Sequence, residues 1–380
     1  MRKLLVLAGL LVLLPGSVAA ERESRPRVLA YYVPYDPTSW ASLEAHALEL
    51  DIIGAQWVSI DACGNIGSHD DQTLNRLAQT RGTEVYPSLL TLSGWLNHRL
   101  LTDDDVSQHA IDEIVRYVIE EGYPGFDLDL EAVDPDDRDA FTAFVARLSS
   151  ALHASDKTLS LAIPAKDRDV TTGWAGAYDY AALGPHGDLF TIMTYEYRGP
   201  FSGPGSIAPY AWADRVIAFA TREIPARKVL MGLAFYGYDW NVSSGSARAL
   251  SYRQATSLAN RYGSPIALDP LTASATFQYQ APFGDPPPPG SGLAPLRHAI
   301  TQRPPAECPV AAPPLPSPTP RRPPPPVDAL QDHEVWLEDS SGVAQRLPIV
   351  ERHGAGGVAT WRLGQEDLGV WEVLRAWRGE

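Results

Sequence analysis

Eight short runs of β-branched, aromatic and aliphatic residues recur along the chain. They are VLAYYV (28–33), AQWVSI (55–60), EVYPSL (84–89), GFDLDLE (125–131), TLSLAIP (158–164), LFTIMTY (189–195), VLMGLAF (229–235) and GVATW (357–361). Most are separated by stretches whose apolar positions recur every three or four residues, the spacing of a helix with one buried face. In VSQHAIDEIVRYVIEEG (106–122) these positions are Ile111, Ile114, Val115 and Val118, and 137–154 and 211–224 show the same spacing. Strands alternating with helices predict an α/β fold on a parallel sheet. Eight such units over about 350 residues favour a closed (β/α)8 TIM barrel over an open doubly wound sheet.

One segment interrupts the rhythm. Between the seventh strand and the last helix–strand pair lies an insertion, roughly 241–330. It starts with a helical pattern (251–262) and a strand-like piece (275–280), then turns proline-rich. Eighteen of the 34 prolines fall between Pro282 and Pro326. Such a tract favours extended conformations and cannot pack a core, so 282–326 reads as a surface excursion, disordered in part. Regular patterning resumes at HEVWLED (333–339) and at 341–354.

The fourth run carries the chemistry. Successive strand side chains point to opposite faces, so Phe126, Leu128 and Leu130 share one face and Asp127, Asp129 and Glu131 the other. In a barrel the apolar set packs under the helices and the acids point into the lumen. An unpartnered buried carboxylate costs several kcal/mol, as an order of magnitude. Three in line must share protons and hydrogen bonds, which raises at least one pKa. Glu131 is nearest the C-terminal mouth, where barrel enzymes place their chemistry, and is a candidate general acid. No second carboxylate is clearly placed across the site as a nucleophile. Ordinary glycosidases need one, whereas substrate-assisted ones do not.

PGFDLDLE (124–131) resembles the family 18 glycoside hydrolase motif DGxDxDxE, with Pro124 in place of the leading acid. IMTYEYRGP (192–200) resembles the family's sixth-strand motif, with Glu196 where many members have Asp. GPGSIAPYAW (203–212), KVLMGLAFYGYDW (228–240) and residues 333–364 are similar to the branch of spore-cortex-lytic and spore-germination hydrolases. The resemblance spans roughly 27–375 apart from the proline-rich tract. It implies a substrate-assisted retaining mechanism. Glu131 is the acid and then the base, Asp129 orients the substrate acetamido group, Asp127 tunes Asp129, and Tyr195 hydrogen-bonds the acetamido oxygen. The expected substrate is a β-1,4-linked polymer with N-acetylglucosamine, either chitin or peptidoglycan. Trp361 matches the tryptophan that floors the cleavage subsite. Tyr31, Tyr236 and Trp240, at or just past strand ends, are further candidates for sugar contact, since aromatic faces suit pyranose rings. Glu196 is a candidate for a neighbouring substrate contact. A lectin-like protein on the same barrel is the alternative, but such members typically lack the motif Glu, which is present here. A weaker option is a two-carboxylate glycosidase from another barrel family.

Charge and composition narrow the partners. The chain has 380 residues and a formal net charge of −15, which disfavours nucleic acid. No dinucleotide fingerprint, phosphate loop or zinc-spaced Cys/His set occurs, so no cofactor or metal is expected. The start MRKLLVLAGLLVLLPGSVAA has the basic head, apolar run and small-residue end of a secretory signal peptide, cleaved near Ala20. No later stretch is apolar enough to cross a membrane. These features predict a secreted, periplasmic or cell-envelope monomer. Cys63 and Cys308 both fall at the expected catalytic mouth, where a disulfide would tether the excursion to the barrel; the sequence leaves the pairing open.

Overall fold

The computed structural model describes residues 25–285, 308–310, 313 and 329–380. The expected signal peptide at 1–20 and most of the proline-rich tract at 282–326 lie outside the described residues. In chain order the strands are β1 (Arg27–Tyr32), β2 (Ile52–Ile60), β3 (Ile66–Ser68), β4 (Glu84–Thr91), β5 (Gly125–Leu130), β6 (Thr158–Pro164), β7 (Leu189–Met193), β8 (Val229–Ala234), β9 (Tyr236–Asn241), β10 (Ser246–Ser251), β11 (Ala267–Asp269), β12 (Ser274–Pro282), β13 (Leu330–Leu337) and β14 (Gly357–Trp361). Eight of them, β1, β2, β4 to β8 and β14, pair in parallel, and β14 returns to β1 to close the barrel. These eight strands coincide with the eight apolar runs of the sequence. The short β3 folds back antiparallel on β2.

Packing follows the alternation. Phe126, Leu128 and Leu130 are buried beneath the helical layer, in one apolar cluster with Phe141, Phe144 and Val145 of the helix Arg138–His153. That helix and Asp104–Glu120 take the places their apolar spacing predicts. Asp103 caps the latter by accepting from Val106 N, with Asp104 and Asp105 in its first turn, where the helix dipole favours negative charge. Inside the barrel, Leu29, Tyr31, Ile52, Tyr86, Leu189 and Leu230 form a separate buried layer. At the entry of β5 a side chain on Gly125 would meet Thr158 Oγ1 at 2.3 Å and Tyr86 Cζ at 2.8 Å. Only glycine allows the strands to approach this closely there.

The described part of the insertion contains the expected helix and strand within a second sheet. Residues 236–282 and 330–337 build a five-stranded sheet in the order β10-β9-β13-β12-β11, antiparallel in every pairing. The helix Tyr252–Tyr262 covers one face, packing Ala255, Leu258 and Ala259 against Phe277, Val335 and Leu337. HEVWLED, where regular patterning is expected to resume, supplies the last five residues of β13, which pair with both β12 and β9. A disulfide joins Cys63 to Cys308, with Cα atoms 5.7 Å apart.

Candidate active site

Strand β5 places Asp127 and Asp129 in the lumen and hands the chain to Glu131 at the mouth. Register sets Ser88 beside Asp127 and Leu90 beside Asp129. Asp127 is fully buried and accepts from Ser88 Oγ at 2.7 Å and from the Tyr31 hydroxyl at 3.4 Å. Burial raises its pKa, against the pull of those donors. Asp129 Oδ2 accepts from Gln56 Nε2 at 3.2 Å, while its buried Oδ1 has no hydrogen-bond partner. Burial and then the charges of Glu131 and Asp127 hold the Asp129 pKa well above the carboxylate range. The ionised form of Asp129 is therefore disfavoured relative to an exposed carboxylate.

Glu131 is fixed through its backbone. Its N–H donates to Thr91 O at 2.8 Å, and its carbonyl accepts from Asn97 Nδ2. Ala132 follows with φ 54°, turning the chain away from the strand. Burial, and then the negative charge of Glu196, push the Glu131 pKa up to about 7. A carboxyl poised there can give a proton near neutral pH and take one back.

Across the lumen Tyr195 sits edge-on to Tyr236, ring centroids 6.2 Å apart. Burial, then the Asp129 and Glu131 charges, hold its hydroxyl protonated as a donor. Glu196 adopts φ 61°, and its Oε1 accepts from the hydroxyls of Tyr236 at 2.5 Å and Tyr238 at 2.6 Å. Both tyrosines lie on β9, so the insertion sheet supplies one wall of the site. Trp361, at the end of β14, tilts by 58° against Tyr31 at 5.6 Å.

These groups open on one cleft of about 990 Å³, at the upper end of the usual range for small-ligand sites. Of the residues singled out from sequence, Tyr31, Asp129, Glu131, Tyr195, Glu196, Tyr236 and Trp361 line it. Asp127 lies beneath them, closed off from solvent. Trp240 needs correction as a substrate contact. It is 2% exposed and packs behind Tyr238, with centroids 5.4 Å apart, in a cluster with Ile207 and Ala208. Alternation along β9 gives Trp240 the same face as the two tyrosines, but it is buried in that cluster and does not line the cleft.

Sequence reasoning missed Gln56, Tyr238 and the Asp36–Arg362 ion pair at 2.7 Å, all in the cleft. Gln56 had a signal, as a long polar side chain in the middle of an otherwise mostly apolar strand. Among the described residues the one group close enough to hold a metal is Asp61 with Cys63 and Cys308. Both sulfurs are spent in the disulfide, and Asp61 already accepts from Cys63 N and Asn65.

Known proteins resemble this chain in sequence and fold. Among curated proteins, the uncharacterized glycosylase YvbX of Bacillus subtilis (strain 168) is 25% identical over 291 residues, 76% of this chain and 71% of that protein. The cortical fragment-lytic enzyme of the same organism is 27% identical over 284 residues, and the match spans 73% of this chain but only 55% of that enzyme. Among solved structures, a chitinase from Chromobacterium violaceum superposes with a TM-score of 0.76 at 25% identity, over 93% of this chain and 99% of that one. The profile of glycosyl hydrolases family 18 matches residues 27–284, more than half of the chain. On that match and this barrel, the protein belongs to family 18 of the glycosyl hydrolases.

Proposed function

We propose that the protein is an exported retaining glycosidase that cleaves β-1,4 bonds next to N-acetylglucosamine with help from the substrate's own acetamido group. One observation carries the reading. At the cleft mouth Glu131 has its pKa pushed up to about 7, one strand step above a buried Asp129 whose pKa is also raised and whose Oδ1 has no hydrogen-bond partner among the described residues. Glu131 donates its proton to the glycosidic oxygen as the bond to the anomeric carbon breaks. The acetamido carbonyl oxygen attacks that carbon and forms an oxazolinium ring, with Asp129 holding the acetamido N–H and Tyr195 donating to the carbonyl oxygen. Asp127, through Ser88 and Tyr31, keeps the lower end of the acid ladder fixed. In the second half Glu131, now ionised, removes a proton from water. The water oxygen opens the ring on the face the leaving sugar vacated, so configuration is retained. Trp361 and Tyr31 offer ring faces to the sugar.

The relatives' names, a cortical fragment-lytic enzyme and a chitinase, agree with a polymer containing N-acetylglucosamine. Export is supported by the Cys63–Cys308 disulfide, a bond of oxidising compartments. The test compares the wild type with Glu131→Gln on N-acetylated oligosaccharides and on peptidoglycan. The variant should lose on the order of 10²–10⁴-fold in kcat. Equal turnover by both proteins would sink the assignment, and binding without turnover by the wild type would mark a lectin.

A further inference from the structure

The cleft holds two guanidinium groups of opposite circumstance. Arg362 is buried and neutralised by Asp36 Oδ2 at 2.7 Å. Arg253 is exposed on the cleft wall, and among the described residues its side chain makes no ion pair and no hydrogen bond. Its neighbours in the chain are fully committed. Ser251 and Gln254 close a reciprocal cap at the start of the helix Tyr252–Tyr262, with Ser251 N donating to Gln254 Oε1 at 2.8 Å. Tyr252 N donates to Gln365 O at 2.9 Å and ties this turn to the loop that follows Trp361. The turn is therefore anchored on both sides, and Arg253 is the charged group it presents.

Two ordinary roles do not fit. Arg253 does not hold the described fold, because its side chain has no partner among the described residues. Nor does it tune the acids, because the raised pKa values of Glu131 and Glu196 come from burial and neighbouring groups with no share from Arg253. What remains is the ligand. A chain of net charge −15 with Asp129, Glu131 and Glu196 in its cleft repels an acidic polymer. An unspent guanidinium offsets that repulsion and offers a two-pronged donor to a carboxylate. A neutral chitin chain carries no group that needs it.

We infer that Arg253 binds a carboxylate of the substrate, so that the polymer taken is an N-acetylglucosamine polymer bearing acid groups, as peptidoglycan does and chitin does not. This rests on the glycosidase reading and makes Arg253 a specificity-determining residue of the same cleft. The carboxylate has two sources, the lactyl ether of an unsubstituted muramic acid or a stem peptide.

Three substrates separate the possibilities: a neutral N-acetylglucosamine tetramer, glycan strands stripped of stem peptides, and strands that keep them. The quantity read is the ratio of kcat/KM on strands to that on the tetramer. Arg253→Gln should lower this ratio about tenfold, mostly through KM, the weight of one hydrogen bond to a charged group. Arg253→Lys should recover part of it, and the wild-type preference should weaken as salt rises. Loss confined to stripped strands assigns the lactyl carboxylate; loss confined to peptide-bearing strands assigns the stem. A ratio unchanged on both kinds of strand overturns the inference. The same ratio is also read as Kd in a Glu131→Gln background. Absent wild-type turnover would defeat the glycosidase reading, while the Kd ratio still decides the role of Arg253.

Discussion

At the scale of residues, function rests on how unequal surroundings rank three acids on one strand. Asp127 has two hydroxyl donors, Asp129 one amide donor and one bare oxygen, and Glu131 has its charge opposed by Glu196. This ranking predicts a pH dependence. Glu131 must be protonated to act as acid, so the rate falls as pH rises through about 7. Glu196→Gln removes the negative charge that helps to hold the proton, while its amide oxygen can still accept from Tyr236 and Tyr238. The Glu131 pKa then drops, and the alkaline limb of kcat/KM should move to lower pH. Activity at pH 8 should fall more than activity at pH 5. A limb that stays in place would show that Glu196 does not couple to Glu131. The ladder itself was legible, because period-two spacing of Asp127, Asp129 and Glu131 fixes their common face. Gln56 and Tyr238 were less visible, because their importance lies in which side chain they reach across the lumen.

Among the elements, the insertion sheet shows where sequence patterning stops being informative. The eight barrel strands announce themselves locally, each as a short apolar run. By contrast β9 and β13 are separated by almost ninety residues, and nothing in either segment names the other as partner. Their pairing delivers Tyr236 and Tyr238 to Glu196, so the sheet belongs to the site as much as β5 does. A buried ion pair locks the sheet to the barrel. Arg346 meets Glu338 Oε2 at 2.7 Å and donates to the carbonyls of Ala208 and Ala273. Burial outweighs Arg346 and lifts the Glu338 pKa to about 7. Arg346→Ala leaves that carboxyl buried and unpaired, which should cost about 3–5 kcal/mol at pH 8. The raised pKa means that Glu338 takes up a proton as pH falls below about 7. The deficit should therefore shrink at pH 5, as urea unfolding at the two pH values would show. An equal deficit at both would mean that lost hydrogen bonds, rather than an exposed charge imbalance, explain the damage.

For the molecule as a whole, the barrel was readable because eight local signals add up, and its catalytic end because β5 points there. The disulfide was not, since two cysteines at 63 and 308 permit a bond without requiring one; the structure brings their Cα atoms to 5.7 Å. The cleft joins a barrel wall bearing Asp129 and Glu131 to an insertion wall bearing Tyr236, Tyr238 and Arg253. Glu196 thus shares the cleft with Glu131 and Asp129. If Glu196 activated a water on the opposite side of the sugar, the reaction would invert; if the acetamido group attacks first, it retains. Glu196 Oε1 is already engaged by two tyrosine hydroxyls, which argues against the first course. Proton NMR of the first product formed from an N-acetylglucosamine oligomer decides between them. The β-anomer should accumulate before mutarotation sets in, and the α-anomer appearing first would contradict the account.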